Sequence, residues 1–190
     1  MAALLLEDPS TAAAMNLTIN TNTIAFQGAG ATSGTGIWII DGQPGQSSTG
    51  SSTVSVTGDT INFQGAGGTG LRFGLYRPGS DTITSNIISD LAGGATGMLF
   101  DDVGSGTQTD IAGNTIALLL GDTTTHRGII FSQVSPGFTL YTPYNSTTNV
   151  VTNAASAQME FSIPAGSPGP VPVNSVNGIL INGTTIVPPQ

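Results

Sequence analysis

The sequence predicts an all-β protein, and three observations lead to this prediction. Apolar residues occur in short runs bounded by Gly, Asn, Asp and Ser, which is the pattern of strands rather than of helices. Charged residues make up only 7% of the chain and lysine is absent, so several strong helix formers are scarce. A segment of the chain also recurs, which is typical of repeat architectures.

The clearest repeat joins residues 22–30 (Asn-Thr-Ile-Ala-Phe-Gln-Gly-Ala-Gly) to residues 59–67 (Asp-Thr-Ile-Asn-Phe-Gln-Gly-Ala-Gly). Seven of the nine positions are identical, at an offset of 59 − 22 = 37. Weaker copies begin at Asp81-Thr82-Ile83 and at Asn114-Thr115-Ile116. The glycine before each second apolar run gives steps of 34, 27 and 31 between Gly36, Gly70, Gly97 and Gly128. We expect each unit to contain two short strands joined by a Gly-rich bend.

The pattern Asn/Asp-Thr-Ile-x-Phe followed by Gly-Thr-Gly and an apolar run resembles the repeats of right-handed parallel β-helix proteins. The resemblance covers residues 20–131 best and implies a solenoid whose inward runs stack rung upon rung. Such proteins include autotransporter passenger domains, surface adhesins, phage tailspikes and pectin-degrading enzymes. The uneven spacing of the repeats leaves a second architecture open, an antiparallel β-sandwich or jelly roll.

Composition divides the chain into three segments. Residues 1–15 are expected to form an N-terminal cap with short helical turns at 2–6 and 11–15, divided by Pro9. Residues 16–160 are expected to form the β-repeat domain. Residues 161–190 form a Pro-rich, strand-bearing C-terminal tail.

The charge balance excludes several partners. Eleven acidic residues against three basic ones give a net charge of −8, so the clustered cations that nucleic acids and anionic membranes require are missing. No apolar stretch approaches the roughly 18 residues of a membrane span. Cysteine is absent, which excludes disulfides and thiolate metal sites. A neutral polar surface rich in Ser, Thr, Asn and Gly favours an extracellular or cell-surface location.

Candidate catalytic groups are few. Hydrolysis of a sugar polymer needs paired carboxylates, and Asp101, Asp102 and Asp110 are the best candidates. Neighbours on a strand point to opposite faces, so Asp101 and Asp102 do not form a natural pair. His126 and Arg127 follow Asp122 in a segment that is typical of a polar turn. We therefore expect no catalytic residue, no metal site and no cofactor, although the same three acids could supply oxygen ligands to calcium.

The aromatic residues are expected to serve the core. Five phenylalanines fall at equivalent places in the repeats and predict a stacked column: Phe26, Phe63, Phe73, Phe100 and Phe131. Trp38 and Tyr76 lie late in the two matched apolar runs. If either points outward, it could stack on a carbohydrate.

The sequence thus favours a non-enzymatic, structural or adhesive surface protein that self-associates into oligomers or fibres through strand pairing, with a host surface or glycan as a further partner. The expected strand donor is the tail, through Val173, Val176, Ile179, Ile181 and Ile186.

Two alternatives stay open. A polysaccharide-active β-helix enzyme, a lyase or hydrolase, would need at least two of Asp101, Asp102, Asp110 and Arg127 in reach of one substrate position. Binding of ice or a crystal surface by a flat threonine array is hinted at by Thr18, Thr21 and Thr23. Against it, regular Thr-x-Thr rungs do not recur along the sequence.

Overall fold

The computed structural model describes most of the first two thirds of the chain and shorter pieces of the rest. The described residues are 1–8, 15–26, 34–41, 53–64, 67–75, 80–91, 95–101, 104, 106–118, 127–132, 138–141, 149–152, 159–161, 171–173, 179–181 and 184–186.

These residues form nineteen strands and no helix. The strands are β1 (Ala2–Asp8), β2 (Asn16–Asn20), β3 (Thr23–Ala25), β4 (Gly34–Asp41), β5 (Thr53–Thr57), β6 (Thr60–Asn62), β7 (Gly68–Gly74), β8 (Ser80–Thr84), β9 (Ile87–Leu91), β10 (Thr96–Phe100), β11 (Gly106–Ala112), β12 (Thr115–Leu118), β13 (Arg127–Phe131), β14 (Phe138–Tyr141), β15 (Val150–Thr152), β16 (Met159–Phe161), β17 (Val171–Val173), β18 (Ile179–Ile181) and β19 (Thr184–Ile186). Across this part of the chain, no helix could span a bilayer.

The strands coil through three sheets in turn. Sheet A has the order β1-β4-β7-β10-β13-β16-β18-β19, sheet B has β17-β14-β11-β8-β5-β2, and sheet C has β15-β12-β9-β6-β3. From β1 to β15, every third strand returns to the same sheet and pairs in parallel with its predecessor. This is a parallel β-helix with three strands per coil, which confirms the favoured architecture and excludes the antiparallel sandwich.

The register explains the repeat. In sheet C, Thr23 pairs with Thr60, Thr60 with Ile87, and Ile87 with Thr115, so successive coils add 37, 27 and 28 residues. The prediction of two strands per unit is wrong, because each coil also contains a strand of sheet B. Asp81-Thr82-Ile83 belongs to that sheet and is not a copy of the repeat. Its true counterpart is the segment that begins at Asn86.

The core is a set of columns that run through the coils. In sheet A the inward residues of successive strands pair in register and are at most 1% exposed: Ile37, Leu71, Met98 and Ile129. The phenylalanines also stack, as predicted, but in two columns rather than one. Phe26 stacks on Phe63 beyond the sheet C strands, with ring centroids 4.5 Å apart. Phe73, Phe100 and Phe131 stack in sheet A, with centroids 4.7 and 4.5 Å apart.

The recurring glycine marks a close approach between sheets A and C. A Cβ atom on Gly36, Gly70 or Gly97 would lie 2.5–2.7 Å from Cγ2 of an isoleucine in sheet C: Ile61, Ile88 and Ile116, respectively. Real Cβ atoms do not approach other heavy atoms so closely, so these positions accept no side chain. The sequence steps of 34 and 27 between these three glycines therefore reflect packing.

The bend from sheet B to sheet C is a two-residue turn. Its first residue has a left-handed backbone, with φ between 59° and 70° at Thr21, Gly58, Ser85 and Gly113. The second residue is polar and joins a stack that we call the turn column, which consists of Asn22, Asp59, Asn86, Asn114 and Asn149. Each member of this column donates its backbone N–H to a side-chain oxygen of the next member, at 2.7–3.2 Å. The turn column therefore holds successive coils in register.

The two predicted outer segments contribute strands to the same sheets. Residues 2–6 lie in β1, which pairs with β4, so the predicted helical turn there is wrong. Most of the second predicted turn, 11–15, lies outside the described residues. The expected boundary near residue 160 falls inside β16, and β17 and β18 continue sheets B and A.

Candidate functional site

The first coil has an uncovered end. β1, β2 and β3 are the first strands of sheets A, B and C, and within the described residues no strand pairs with their outer edges. We call this surface the open end. Unpaired strand edges present rows of backbone N–H and C=O groups to any chain that can pair with them.

Apolar side chains accompany these edges. Six of them pack against the core but stay partly exposed: Leu4, Leu6, Met15, Leu17, Ile24 and Phe26. Their counterparts one coil later are covered. Ile37, Val54 and Ile61 pair in register with Leu4, Leu17 and Ile24 and are at most 2% exposed. The difference arises because nothing in the described part of the chain covers the first coil.

A second feature lies on the outer face of sheet A. Trp38 on β4 and Arg72 on β7 pair in register and point away from the buried columns on either side of them. The Arg72 guanidinium carbon lies 4.5 Å from the centroid of the Trp38 ring. Nη2 of Arg72 donates to Oδ2 of Asp101 at 3.0 Å, and these side chains are 32% and 36% exposed. We call these three residues the Trp38 cluster.

The indole has room because of a glycine. Gly74 is the last residue of β7, and a Cβ atom there would lie 3.3 Å from Nε1 of Trp38. Nε1 of Trp38 and Nε of Arg72 are both buried and have no hydrogen-bond partner among the described residues. The cluster therefore spans three coils and holds two donors with unused capacity.

The predicted catalytic candidates are not brought together. Asp101 follows β10 in sheet A, whereas Asp110 lies on β11 in sheet B. Arg127 begins β13 and pairs with Thr96, at the opposite end of β10 from Asp101. Five residues of strand separate these two levels, roughly 16 Å. Asp102, Asp122 and His126 lie outside the described residues.

Asp110 has an unusual environment for a carboxylate. It pairs with Thr82 on the outer face of sheet B, and its Oδ1 is buried without a hydrogen-bond partner in the described region. Desolvation by this burial raises the pKa of Asp110 above its usual range. Among the described residues, no three His, Cys, Asp or Glu side chains cluster to hold a metal ion.

The other predicted residues are dispersed. In the tail, Val173 lies in β17, Ile179 and Ile181 in β18, and Ile186 in β19, where they pair within the chain's own sheets. Val176 and Tyr76 lie outside the described residues.

The three threonines of the ice-binding alternative do not share a face. Thr18 faces outward on sheet B, in line with Ser55 and Thr82, so hydroxyl side chains do recur there. Thr21 lies in a turn and Thr23 in sheet C.

Sequence reasoning identified Trp38 but missed its neighbours. Arg72 lies 72 − 38 = 34 residues further on, which is the local length of one coil, and Asp101 lies one coil beyond that. The glycine step of 34 between Gly36 and Gly70 is the signal that could have aligned them.

Comparisons with protein-family models, with curated proteins and with solved structures find no match to this chain.

Proposed function

We propose that this chain is a non-enzymatic structural or adhesive protein of the cell surface or extracellular space, and that it self-associates through its open end. The single observation that carries the proposal is the contrast between the first coil and the second. Half-buried Leu4, Leu17 and Ile24 stand where the next coil has fully buried residues, and they lie beside three unpaired strand edges.

A second copy of this chain is the occupant that fits best. Its strand edges have the same hydrogen-bonding repeat of about 4.8 Å between strands, and its end coils have the same cross-section. Pairing would remove both the apolar surface and the unpaired backbone groups from water. The low charge supports the proposal further, because 7% charged residues give little like-charge repulsion between copies. The surface location rests on the neutral, cysteine-free composition.

Light scattering coupled to size-exclusion chromatography tests the proposal. Wild-type protein is expected to gain mass as its concentration rises, whereas Leu17→Lys, which puts a charge into the open end, is expected to remain a single chain. Leu5→Lys is the matched control, because Leu5 lies on edge strand β1 but faces outward and is 48% exposed. It should assemble as the wild type does.

Two results would count against self-association. One is a wild-type mass equal to one chain at all concentrations. The other is a Leu17→Lys protein that is folded by circular dichroism and assembles as readily as the wild type.

A further inference from the structure

The Trp38 cluster combines three kinds of recognition chemistry on one outer face. Trp38 supplies an aromatic ring, Arg72 a planar guanidinium 4.5 Å from its centroid, and Asp101 a carboxylate 3.0 Å from the guanidinium. The chain has only one tryptophan and three cations, so this combination is concentrated in one place.

The surroundings of the cluster are apolar along one direction. By register, the outward column of sheet A runs Leu5, Trp38, Arg72, Leu99 and Ile130, crossing five coils. Leu5 is 48% exposed, and Leu99 and Ile130 are half-buried. On one side of this column, Asp101 and Ser132 add polar groups, while Gly74 leaves space for the indole.

We propose that the Trp38 cluster is a binding site for an uncharged polysaccharide. Sugar rings have an apolar face of C–H groups and a rim of hydroxyls. The apolar column suits the face, while the carboxylate of Asp101 and the guanidinium of Arg72 suit the rim as acceptor and donor. Asp101 already neutralises Arg72, and the chain carries a net charge of −8, so an anionic polymer is disfavoured.

The buried donors give the site a mechanism for detection. Nε1 of Trp38 and Nε of Arg72 lack acceptors within the described residues, and both are covered. A sugar oxygen reaches them when the partly exposed Arg72 side chain shifts off the indole. Binding therefore changes the environment of the chain's single tryptophan, and its fluorescence reports occupancy without a label.

This inference rests on the adhesive part of the proposed function, and its failure leaves self-association untouched because the two have different readouts. The test titrates full-length chain with a soluble mixed-linkage β-glucan, a galactomannan and an arabinoxylan, with polygalacturonate as the anionic comparison. Tryptophan fluorescence and affinity electrophoresis are the measurements. At least one neutral polymer is expected to change the fluorescence and retard migration, whereas polygalacturonate should do neither.

Variants locate the site. Asp101→Asn is expected to weaken binding at least tenfold, and Trp38→Phe should abolish retardation in the gel. Asp110→Asn is the matched control, because it removes a carboxylate from sheet B, and it should bind as the wild type does. The proposal is overturned if none of the neutral polymers binds, if only polygalacturonate binds, or if folded Asp101→Asn binds as tightly as the wild type.

Discussion

Asp59 donates its backbone N–H to Oδ1 of Asn86 at 3.0 Å, so the two residues are neighbours in the turn column. They differ in how they close it. Nδ2 of Asn86 donates to the carbonyl oxygen of Val56 at 2.9 Å, and Asn114 makes the same bond to Ile83 at 2.8 Å. Asp59 has no amide nitrogen, and its buried Oδ2 has no hydrogen-bond partner in the described part of the chain.

Replacing Asp59 with Asn is therefore expected to stabilise the protein. By register the matching carbonyl is that of Ile19, which pairs with Val56, and the new amide would donate to it. Oδ1 still accepts from Asn22, as it does now at 2.7 and 2.8 Å. Satisfying one buried polar atom should raise the free energy of unfolding by about 1–2 kcal/mol, measured by urea denaturation. The reverse change, Asn86→Asp, should lower it, and a stable Asn86→Asp protein would contradict this account of the column.

Gly97→Ala is expected to destabilise the stack by about 2 kcal/mol, because overpacking a filled core forces neighbours to move. The new Cβ would lie 2.5 Å from Cγ2 of Ile116 and 2.8 Å from the carbonyl oxygen of Gly128. The control is Gly74→Ala, whose Cβ would meet only the Trp38 side chain at 3.3 Å. The two thermal melts should differ clearly, and equal melting temperatures would refute the packing explanation of the glycine repeat.

The phenylalanine columns predict a gradient of cost along the stack. Phe100 is buried between Phe73 and Phe131, so Phe100→Ala should cost about 3–5 kcal/mol. Phe26 stacks on one side only and stays partly exposed at the open end, so Phe26→Ala should cost less than half as much. Chemical denaturation of both variants measures the difference. Equal losses would show that the first coil is as well covered as the middle ones.

The raised pKa of Asp110 predicts a pH dependence of stability. The folded state binds the proton more readily than the unfolded state, so this group favours folding at low pH and loses that contribution as pH rises through its folded pKa. Asp110→Asn should remove this component. Melting temperatures of both proteins between pH 4 and pH 7 are the measurement, and the variant should gain most near pH 7. An unchanged difference across that range would show that Asp110 is not desolvated.

The sequence predicted the columns of the core better than the shape of each coil. Gly36, Gly70 and Gly97 were recognisable because close packing against isoleucine leaves no other choice of residue. The strands of sheet B were missed because their outward positions carry Ser, Thr and Asn, so their apolar pattern is weak. Asp81-Thr82-Ile83 resembled the repeat in letters while lying in a different sheet.

The outer cluster could not be predicted for a different reason. The contacts between Trp38, Arg72 and Asp101 cross coils of 34 and 29 residues, since 72 − 38 = 34 and 101 − 72 = 29. Those lengths vary with the loops between strands. The register of a parallel sheet is fixed by the columns as a whole, so a single residue carries no local sign of the neighbour it will meet.

Hydrogen–deuterium exchange at two protein concentrations tests the central claim, association through the open end, most directly. The backbone amides of β1, β2 and β3 are expected to exchange quickly in dilute solution and to become protected as concentration rises. Those of β7, β8 and β9, already paired on both sides, should not change. Exchange in β1–β3 that stays fast at every concentration, or protection that appears elsewhere instead, would contradict it.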